Sequence, residues 1–145
     1  MATIRVKKLS PNAILPTYGS AGAAAADLYA CLEDAVVIGP GETVFIPTGL
    51  SAEIPVGCAG LIYARSSLGA KRGLAPANKV GVIDSDYRGE IKVVLFNHSG
   101  VAQTVAPGER IAQMIITPVL TPVYEEVAEL SDTDRGEGGF GSTGK

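Results

Sequence analysis

The stretch Ala35-Val-Val-Ile-Gly-Pro-Gly-Glu-Thr-Val-Phe-Ile-Pro-Thr-Gly-Leu-Ser-Ala-Glu-Ile-Pro-Val-Gly57 decides the fold class of this chain. Three short runs of apolar and β-branched residues alternate there with three turn signals that contain Gly and Pro. The runs lie at 35–38, 42–47 and 50–54, and the turn signals at 39–41, 47–49 and 55–57. Val and Ile favour strands, whereas Gly and Pro interrupt any longer element. The stretch therefore predicts short strands joined by frequent turns.

The same pattern continues on both sides of this stretch. Further strands are predicted at 3–9, 28–30, 59–64, 80–83, 90–96, 101–105 and 110–119. Residues 84–89 are interpreted as the connection of a long hairpin, and residues 15–18 as a loop. One helical turn is predicted at 66–71, with a serine hydroxyl as its N-cap. Many short strands with regular turn signals indicate an all-β, jelly-roll-like barrel or sandwich.

Length and charge narrow the functional classes. The 145 residues fit a single domain. A net charge of −3 argues against non-specific binding to nucleic acid or to an anionic membrane. Cys31 and Cys58 do not have the spacing of a metal or redox site. Because no apolar stretch near the N-terminus resembles a signal peptide or a membrane span, we expect a soluble, cytoplasmic protein.

The composition changes at Asp132, which separates a β-domain at 1–131 from a Gly-rich arm at 132–145. Residues 135–145 contain one aromatic residue and five glycines, too little apolar surface to fold alone. The arm is therefore either a disordered tail or a flexible segment that becomes ordered over a ligand. The second interpretation is favoured by a cation, an aromatic ring and two hydroxyl groups, at Arg135, Phe140, Ser142 and Thr143. Glycines would let backbone N–H groups approach phosphates closely.

Five segments, taken in order, resemble the motifs of the trimeric dUTPase family over nearly the whole chain. They are Ala26–Tyr29, Ala64–Gly69, Gly81–Gly89, Gly108–Gln113 and Arg135–Gly144. The resemblance implies an enzyme that hydrolyses dUTP to dUMP and diphosphate with Mg²⁺. Such an enzyme supplies dUMP for thymidylate synthesis and keeps uracil out of DNA. It also implies a homotrimer in which three subunits share each active site.

The resemblance assigns chemistry to two carboxylates. Asp84 is implied to be the general base that orients and activates water for attack on the α-phosphorus, a task that requires hydrogen-bond reach of that water. Asp86, in the same turn, is given a structural role. Asp27 is implied to hold Mg²⁺ through its hydration shell while the triphosphate ligates the ion directly, as Mg²⁺ commonly does.

The phosphate cradle is implied to consist of Arg65, Ser66 and Ser67. Arginine provides charge-assisted hydrogen bonds, and the start of a helix favours an anion. Ser67 stands where dUTPases often have glycine, and a serine pair here also resembles the related dCTP deaminases. Gln113, an amide in an otherwise apolar strand, is implied to contact a phosphate or a water.

The nucleoside pocket is implied to lie along the segment that precedes and follows Asp84. The resemblance places Asn78, Val82 and Ile83 at the uracil edge, with a further backbone contact from Lys92. A site built to pair with one base rejects another, because the wrong base leaves buried polar groups unpaired. Tyr87 is implied to pack under the deoxyribose and to leave no room for a 2′-hydroxyl.

The arm is implied to close over the nucleotide. Phe140 would stack on uracil and Arg135 would bind the terminal phosphate, with Gly141, Ser142 and Thr143 adding phosphate contacts. Closure excludes water and strengthens the remaining charge contacts.

Two other functions remain open from the sequence. The first is a dCTP deaminase of the same superfamily, which ammonia release from dCTP would detect. The second is a non-catalytic β-module that binds nucleotides, which would release no pyrophosphate from dUTP.

Overall fold

The computed structural model describes residues 3–141, and within that range it contains twelve strands and one helix. The strands are β1 (Arg5–Lys8), β2 (Thr17–Tyr18), β3 (Ala26–Tyr29), β4 (Val36–Ile38), β5 (Thr43–Pro47), β6 (Leu50–Glu53), β7 (Cys58–Tyr63), β8 (Leu74–Pro76), β9 (Gly81–Ile83), β10 (Lys92–Asn97), β11 (Gln103–Val105) and β12 (Arg110–Pro118). Helix α1 spans Ser66–Arg72. The all-β, jelly-roll-like fold with one short helical segment is confirmed.

The strands form four antiparallel sheets. The largest has the order β2-β3-β12-β7-β9, and a three-stranded sheet has the order β5-β10-β8. Two further pairs are β1 with β6 and β4 with β11. Strand β12 is the longest, with nine residues, and it pairs with β3 on one side and with β7 on the other. The segment at 110–119 therefore organises the sheet that carries several candidate site residues.

The core lies between these sheets and is built from aliphatic side chains. Leu28, Ile46, Leu95 and Ile111 come from different strands, and each is almost fully buried. Along β10, Val93 and Leu95 point into this core while the intervening residues face outward. This alternation follows from the two-residue repeat of a strand. It leaves the side chains of Lys92 and Val94 available on the outer face of the small sheet.

Two short strands were not predicted. Thr17–Tyr18 lies in the segment predicted to be a loop, yet it pairs with β3. Leu74–Pro76 pairs with the end of β10. Elements of two or three residues are too short to show a repeat, so their pairing depends on strands distant in sequence.

The predicted hairpin around 84–89 is wrong. Strand β9 pairs with β7, whereas β10 pairs with β5 and β8. The connection therefore crosses from one sheet to another, and Ser51 Oγ fixes it by donating to the Arg88 carbonyl at 2.7 Å. Two adjacent apolar runs in a sequence predict two strands, but they do not predict which strands these two pair with. Because β9 ends its sheet, one edge of its backbone has no strand partner within residues 3–141.

The predicted serine N-cap of the helix is also wrong. Arg65 is the N-cap and makes no capping hydrogen bond through its side chain, so Ser66 is already the first helical residue. The helix ends at Gly73, whose left-handed backbone (φ 69°) lets its N–H donate to the Leu68 carbonyl. Arg65, the residue before the two serines, occupies the N-cap position because its backbone is still extended after β7.

After Pro118 the described chain contains no further strand or helix. Large apolar side chains along this segment are nearly fully exposed, at Leu120, Val123, Tyr124 and Leu130. Buried apolar surface stabilises a fold, so such a row is unusual on a soluble monomer. Within residues 3–141, no helix has the length and apolar character needed to cross a membrane.

Candidate active site

A buried carboxylate lies within the largest sheet, on the strand next to its central strand β12. Asp27 on β3 is only 8% exposed. Arg65 Nε donates to Asp27 Oδ1 at 2.7 Å, and Arg110 Nη1 donates to Oδ2 at 3.3 Å. The two guanidinium groups bring one more positive charge than the carboxylate neutralises. The cluster is therefore a local cationic site on an acidic protein.

Two of the remaining predicted phosphate ligands join this cluster. Arg65 Nη1 donates to Ser67 Oγ at 3.2 Å. Gln113 lies opposite Asp27 in the β12–β3 ladder, and its amide donates to the Ala64 carbonyl at 2.8 Å. Ser66 is exposed at the start of α1. The structure thus brings Asp27, Arg65 and Gln113 together with the beginning of the helix.

A second group of predicted residues lines a cavity of about 360 Å³. Its walls are Phe45, Val82, Ile83, Asp84, Tyr87, Glu90, Lys92 and Val94. Asp84 follows β9 directly and is exposed. Tyr87 Oη donates to the Glu90 carbonyl at 2.9 Å. The exposed Asn78 is not part of this wall but lies in the turn before β9, where its carbonyl accepts from Val80 N at 2.7 Å.

The ladder register separates the two groups within one chain. Gln113 faces Tyr63 on β7, whereas Ile83 faces Gly60, three residues earlier on the same strand. A strand advances about 3.3 Å per residue, and neighbouring strands lie about 4.8 Å apart. The backbone of Asp84 is therefore more than about 10 Å from the backbone of Gln113. The carboxylate and the phosphate cluster therefore do not form one compact site in a single chain.

The arm contributes a third group. Arg135 Nε donates to the Gly138 carbonyl at 2.7 Å, which closes a local turn. Phe140 is fully exposed, and the neighbouring Gly141 is also on the surface. Within residues 3–141, no hydrogen bond or ion pair joins these residues to either of the other groups. The predicted ligands Ser142 and Thr143 lie outside the described residues.

Sequence reasoning missed several residues of these groups. Arg110 lies in the segment Gly108–Gln113, so its proximity to Asp27 could have been suspected from the motif alone. Phe45 and Glu90 line the cavity only because β5 pairs with β10 and the connection after Asp84 folds back. Such contacts depend on tertiary structure, and no local pattern indicates them.

The donor set fits a magnesium ion held largely by a substrate. Both oxygens of Asp27 already accept hydrogen bonds from arginine. Among residues 3–141, no group of three or more His, Cys, Asp or Glu residues could form a metal cage. A carboxylate oxygen has a second lone pair, so Asp27 retains the capacity to accept from a metal-bound water. The residues therefore fit Mg²⁺ bound by phosphate oxygens and water.

A model of the dUTPase family matches residues 11–144. The chain belongs to the dUTPase family. The identification made from the five sequence segments is thereby confirmed, including the classification of the chain as an enzyme.

Curated relatives agree over nearly the full length of this dUTPase. The deoxyuridine 5′-triphosphate nucleotidohydrolase of Syntrophotalea carbinolica is 49% identical over 142 residues, covering 98% of this chain and 97% of its own. The protein of the same name from Nautilia profundicola is 51% identical over 142 residues, covering 98% and 99%.

Solved dUTPase structures share the fold. The dUTPase of Staphylococcus bacteriophage 80alpha, solved with dUpNHpp, superposes with a TM-score of 0.91 at 30% identity and complete coverage of both chains. A variant dUTPase from phage phi11 of S. aureus superposes with a TM-score of 0.82 at 25% identity, covering 90% of this chain and all of its own. That structure describes the coordination of a structural Mg(II) ion.

Proposed function

We propose that this dUTPase hydrolyses dUTP to dUMP and diphosphate by attack of water on the α-phosphorus. The observation that carries the proposal is the shared cavity of Asp84, Tyr87 and the edge strand β9. One wall offers a carboxylate, one an aromatic face and one a backbone edge that has no strand partner within residues 3–141. These are the groups needed to activate water, to contact a sugar and to pair with a base. A relative solved with dUpNHpp supports a nucleotide with three phosphates as the ligand.

The base end of the substrate is assigned to β9. The backbone of Val82 and Ile83 presents donors and acceptors at strand spacing along an edge without a strand partner in the described chain. Uracil would pair with this edge much as an added strand does, while Asn78 and Lys92 flank it. Cytosine carries an amino group where uracil has a carbonyl, so it would place donor against donor.

The sugar and the attacking water are assigned to the connection after β9. The Tyr87 ring would lie under the deoxyribose and exclude a 2′-hydroxyl by contact. Asp84 is exposed in the cavity and free to accept a proton from water. General-base assistance of this kind contributes roughly 10²–10⁴-fold to a rate. Asp86 is left with a structural role in the turn.

The phosphates are assigned to the cationic cluster. Arg65, Ser66, Ser67 and Gln113 would bind them, joined by Arg110. Arginine forms two parallel hydrogen bonds to phosphate oxygens, which fixes orientation as well as charge. Negative charge that develops on these oxygens during in-line attack would be stabilised by donors already in place.

Mg²⁺ is assigned as the cofactor, and when bound to the phosphates it would supply further neutralisation of their charge. Asp27 would hold the ion through water, because both carboxylate oxygens are engaged by arginine. Binding would therefore be weak until the nucleotide is present.

Assembly as a homotrimer would bring the three groups of site residues together. One subunit would supply the Asp84 cavity, a second the Arg65 cluster, and a third the arm at 132–145. The separation of more than about 10 Å within one chain supports this division. So does the row of exposed apolar side chains after Pro118, which gains stability if it is buried against another copy. In the closed state Phe140 would cover the base, Arg135 the terminal phosphate, and Gly141, Ser142 and Thr143 the phosphate chain.

The cellular role that follows is the supply of dUMP for thymidylate synthesis and the removal of dUTP before DNA polymerases can use it. A cytoplasmic location suits this role. The acidic charge of the chain supports a small-molecule substrate rather than nucleic acid.

The first experiment measures pyrophosphate release from dUTP and ammonia release from dCTP with the purified protein. Pyrophosphate from dUTP and no ammonia support the proposal. Ammonia from dCTP would instead indicate a deaminase, and neither product would indicate a binding module.

A second experiment tests the shared site. Asp84→Asn and Arg65→Ala are expected to be inactive when each is purified alone. After joint refolding in equal amounts, about a quarter of the sites should combine an intact Asp84 from one chain with an intact Arg65 from another. Recovery near that fraction of wild-type activity supports sites shared between subunits, and no recovery would place each site within one chain.

A further inference from the structure

The ring of Tyr87 lies against the backbone of Gly89 so closely that no side chain fits between them. A Cβ atom built on Gly89 would lie 2.6 Å from Tyr87 Cζ and 2.9 Å from Cε2, and closer still to the hydroxyl oxygen. Real Cβ atoms essentially never approach another atom within 3.0 Å. Gly89 is not among the glycines with a positive φ, so its backbone is open to other residues. Space for the ring, and not backbone conformation, requires glycine here.

A hydrogen bond from the Tyr87 hydroxyl holds the ring in this position. Its hydroxyl donates to the Glu90 carbonyl at 2.9 Å, and its own backbone N–H donates to the Asp84 carbonyl at 3.2 Å. Arg88 folds over the same turn and donates to the carbonyls of Ser85 and Tyr87 at 2.8 and 3.0 Å. A side chain at Gly89 would push the ring off the backbone into the cavity that it lines.

We infer that Gly89 determines sugar specificity, because the absence of a side chain lets the Tyr87 ring lie flat and sets its distance from the 2′-carbon. The inference rests on the proposed function, in which Tyr87 contacts the deoxyribose. Gly89 acts through the ring and touches no substrate atom, so it is a positioning residue. A raised ring would clash with the sugar of dUTP itself and erase the advantage of dUTP over UTP.

The test is a double-mutant cycle on the full-length protein with Gly89→Ala, Tyr87→Ala and the double variant. The readout is the ratio of kcat/KM for dUTP to kcat/KM for UTP. Gly89→Ala should lower this ratio at least tenfold when Tyr87 is present. In the Tyr87→Ala background the same change should alter it less than twofold, because no ring remains to be displaced.

Gly100→Ala is the matched control. A Cβ at Gly100 would meet nothing within 4 Å, and its φ is not positive. The ratio and the melting temperature should both stay at the wild-type values. A general cost of replacing a loop glycine would appear in this variant as well.

The outcomes separate this inference from the proposed function. If Tyr87→Ala leaves the ratio unchanged, the proposed sugar contact is wrong. If Tyr87→Ala lowers the ratio and Gly89→Ala does not, the sugar contact stands and the inference about Gly89 is overturned. An equal loss in both backgrounds also overturns it. If Gly89→Ala does not fold, the double variant should fold, and its failure to do so would contradict the role of the ring.

Discussion

Arg65 and Asp27 form the most buried ion pair of the described chain, with Nε 2.7 Å from Oδ1 although 38 residues separate them in sequence. Their side chains are 19% and 11% exposed. The pair links β3 to the start of α1, and Arg110 at the start of β12 completes it. Shielding from water makes the removal of one partner costly, because the other is left as an uncompensated charge.

Asp27→Asn should therefore disturb both the cluster and its proposed metal shell. We expect a loss of about 2–4 kcal/mol in the free energy of unfolding, measured by urea denaturation. The Mg²⁺ concentration for half-maximal activity should rise at least tenfold. Asp34→Asn, at an exposed aspartate, serves as the control. An unchanged Mg²⁺ dependence would remove Asp27 from the metal site.

Asp84→Asn should abolish chemistry while leaving the fold intact. The side chain is exposed, so the melting temperature should stay close to wild type. Loss of the general base should lower kcat by roughly 10²–10⁴-fold, measured by pyrophosphate release under saturating dUTP. Affinity for a non-hydrolysable dUTP analogue, measured by calorimetry, should change little. Asp86→Asn, two residues away, is the control and should keep most of kcat. Normal turnover by Asp84→Asn would exclude the proposed mechanism.

Deletion of residues 135–145 should separate catalysis from folding. The described part of this segment is almost entirely exposed, so its removal deletes little buried surface. We expect an unchanged melting temperature and a loss of most of kcat, because the arm no longer excludes water. Phe140→Ala should reproduce part of the defect through a higher KM for dUTP. Full activity of the truncated protein would show that the arm is dispensable.

Asn97 should be a major determinant of stability. Its side chain is fully buried and makes four hydrogen bonds, with distances of 2.7–2.9 Å, to Ile38, Ser99 and Val101. Asn97→Leu would remove the side-chain donor to the carbonyl of the buried Ile38 and the acceptor used by Ser99, and each buried group left unsatisfied costs about 1–3 kcal/mol. We expect a total loss of about 2–4 kcal/mol in urea denaturation. Asn12→Leu, at an exposed site, should change stability by less than about 0.5 kcal/mol.

The sequence predicted local structure better than pairing. The run at 110–119 predicted β12 almost to the residue, because apolar spacing and turn residues act within one segment. The hairpin between β9 and β10 was wrong, because the partner of a strand depends on surfaces far away in the chain. The serine cap failed for a more local reason: Arg65, two residues after the end of β7, still has an extended backbone and takes the cap position, which leaves the serines inside the helix.

The same distinction applies to the candidate site. Asp84 and Tyr87 were predicted from their motif, and the structure places them on one cavity. Phe45 reaches that cavity only through the pairing of β5 with β10, which no short segment encodes. The distance between Asp84 and Gln113 could not be predicted from the sequence either, because it depends on the register of two strand pairs, β12 with β7 and β7 with β9.

The chain beyond Pro118 has a consequence for how its length is constrained. The first twenty or so residues after β12 can span about 60–70 Å when extended. The arm can therefore reach well past β12, the last strand of the sheet. A tethered group acts at an effective concentration set by the length of its tether. Residues 119–131 would therefore govern how often the arm visits a distant site even where they touch no nucleotide. A few inserted or deleted residues would alter turnover without changing any catalytic group, while the apolar side chains among them would fix where the segment packs.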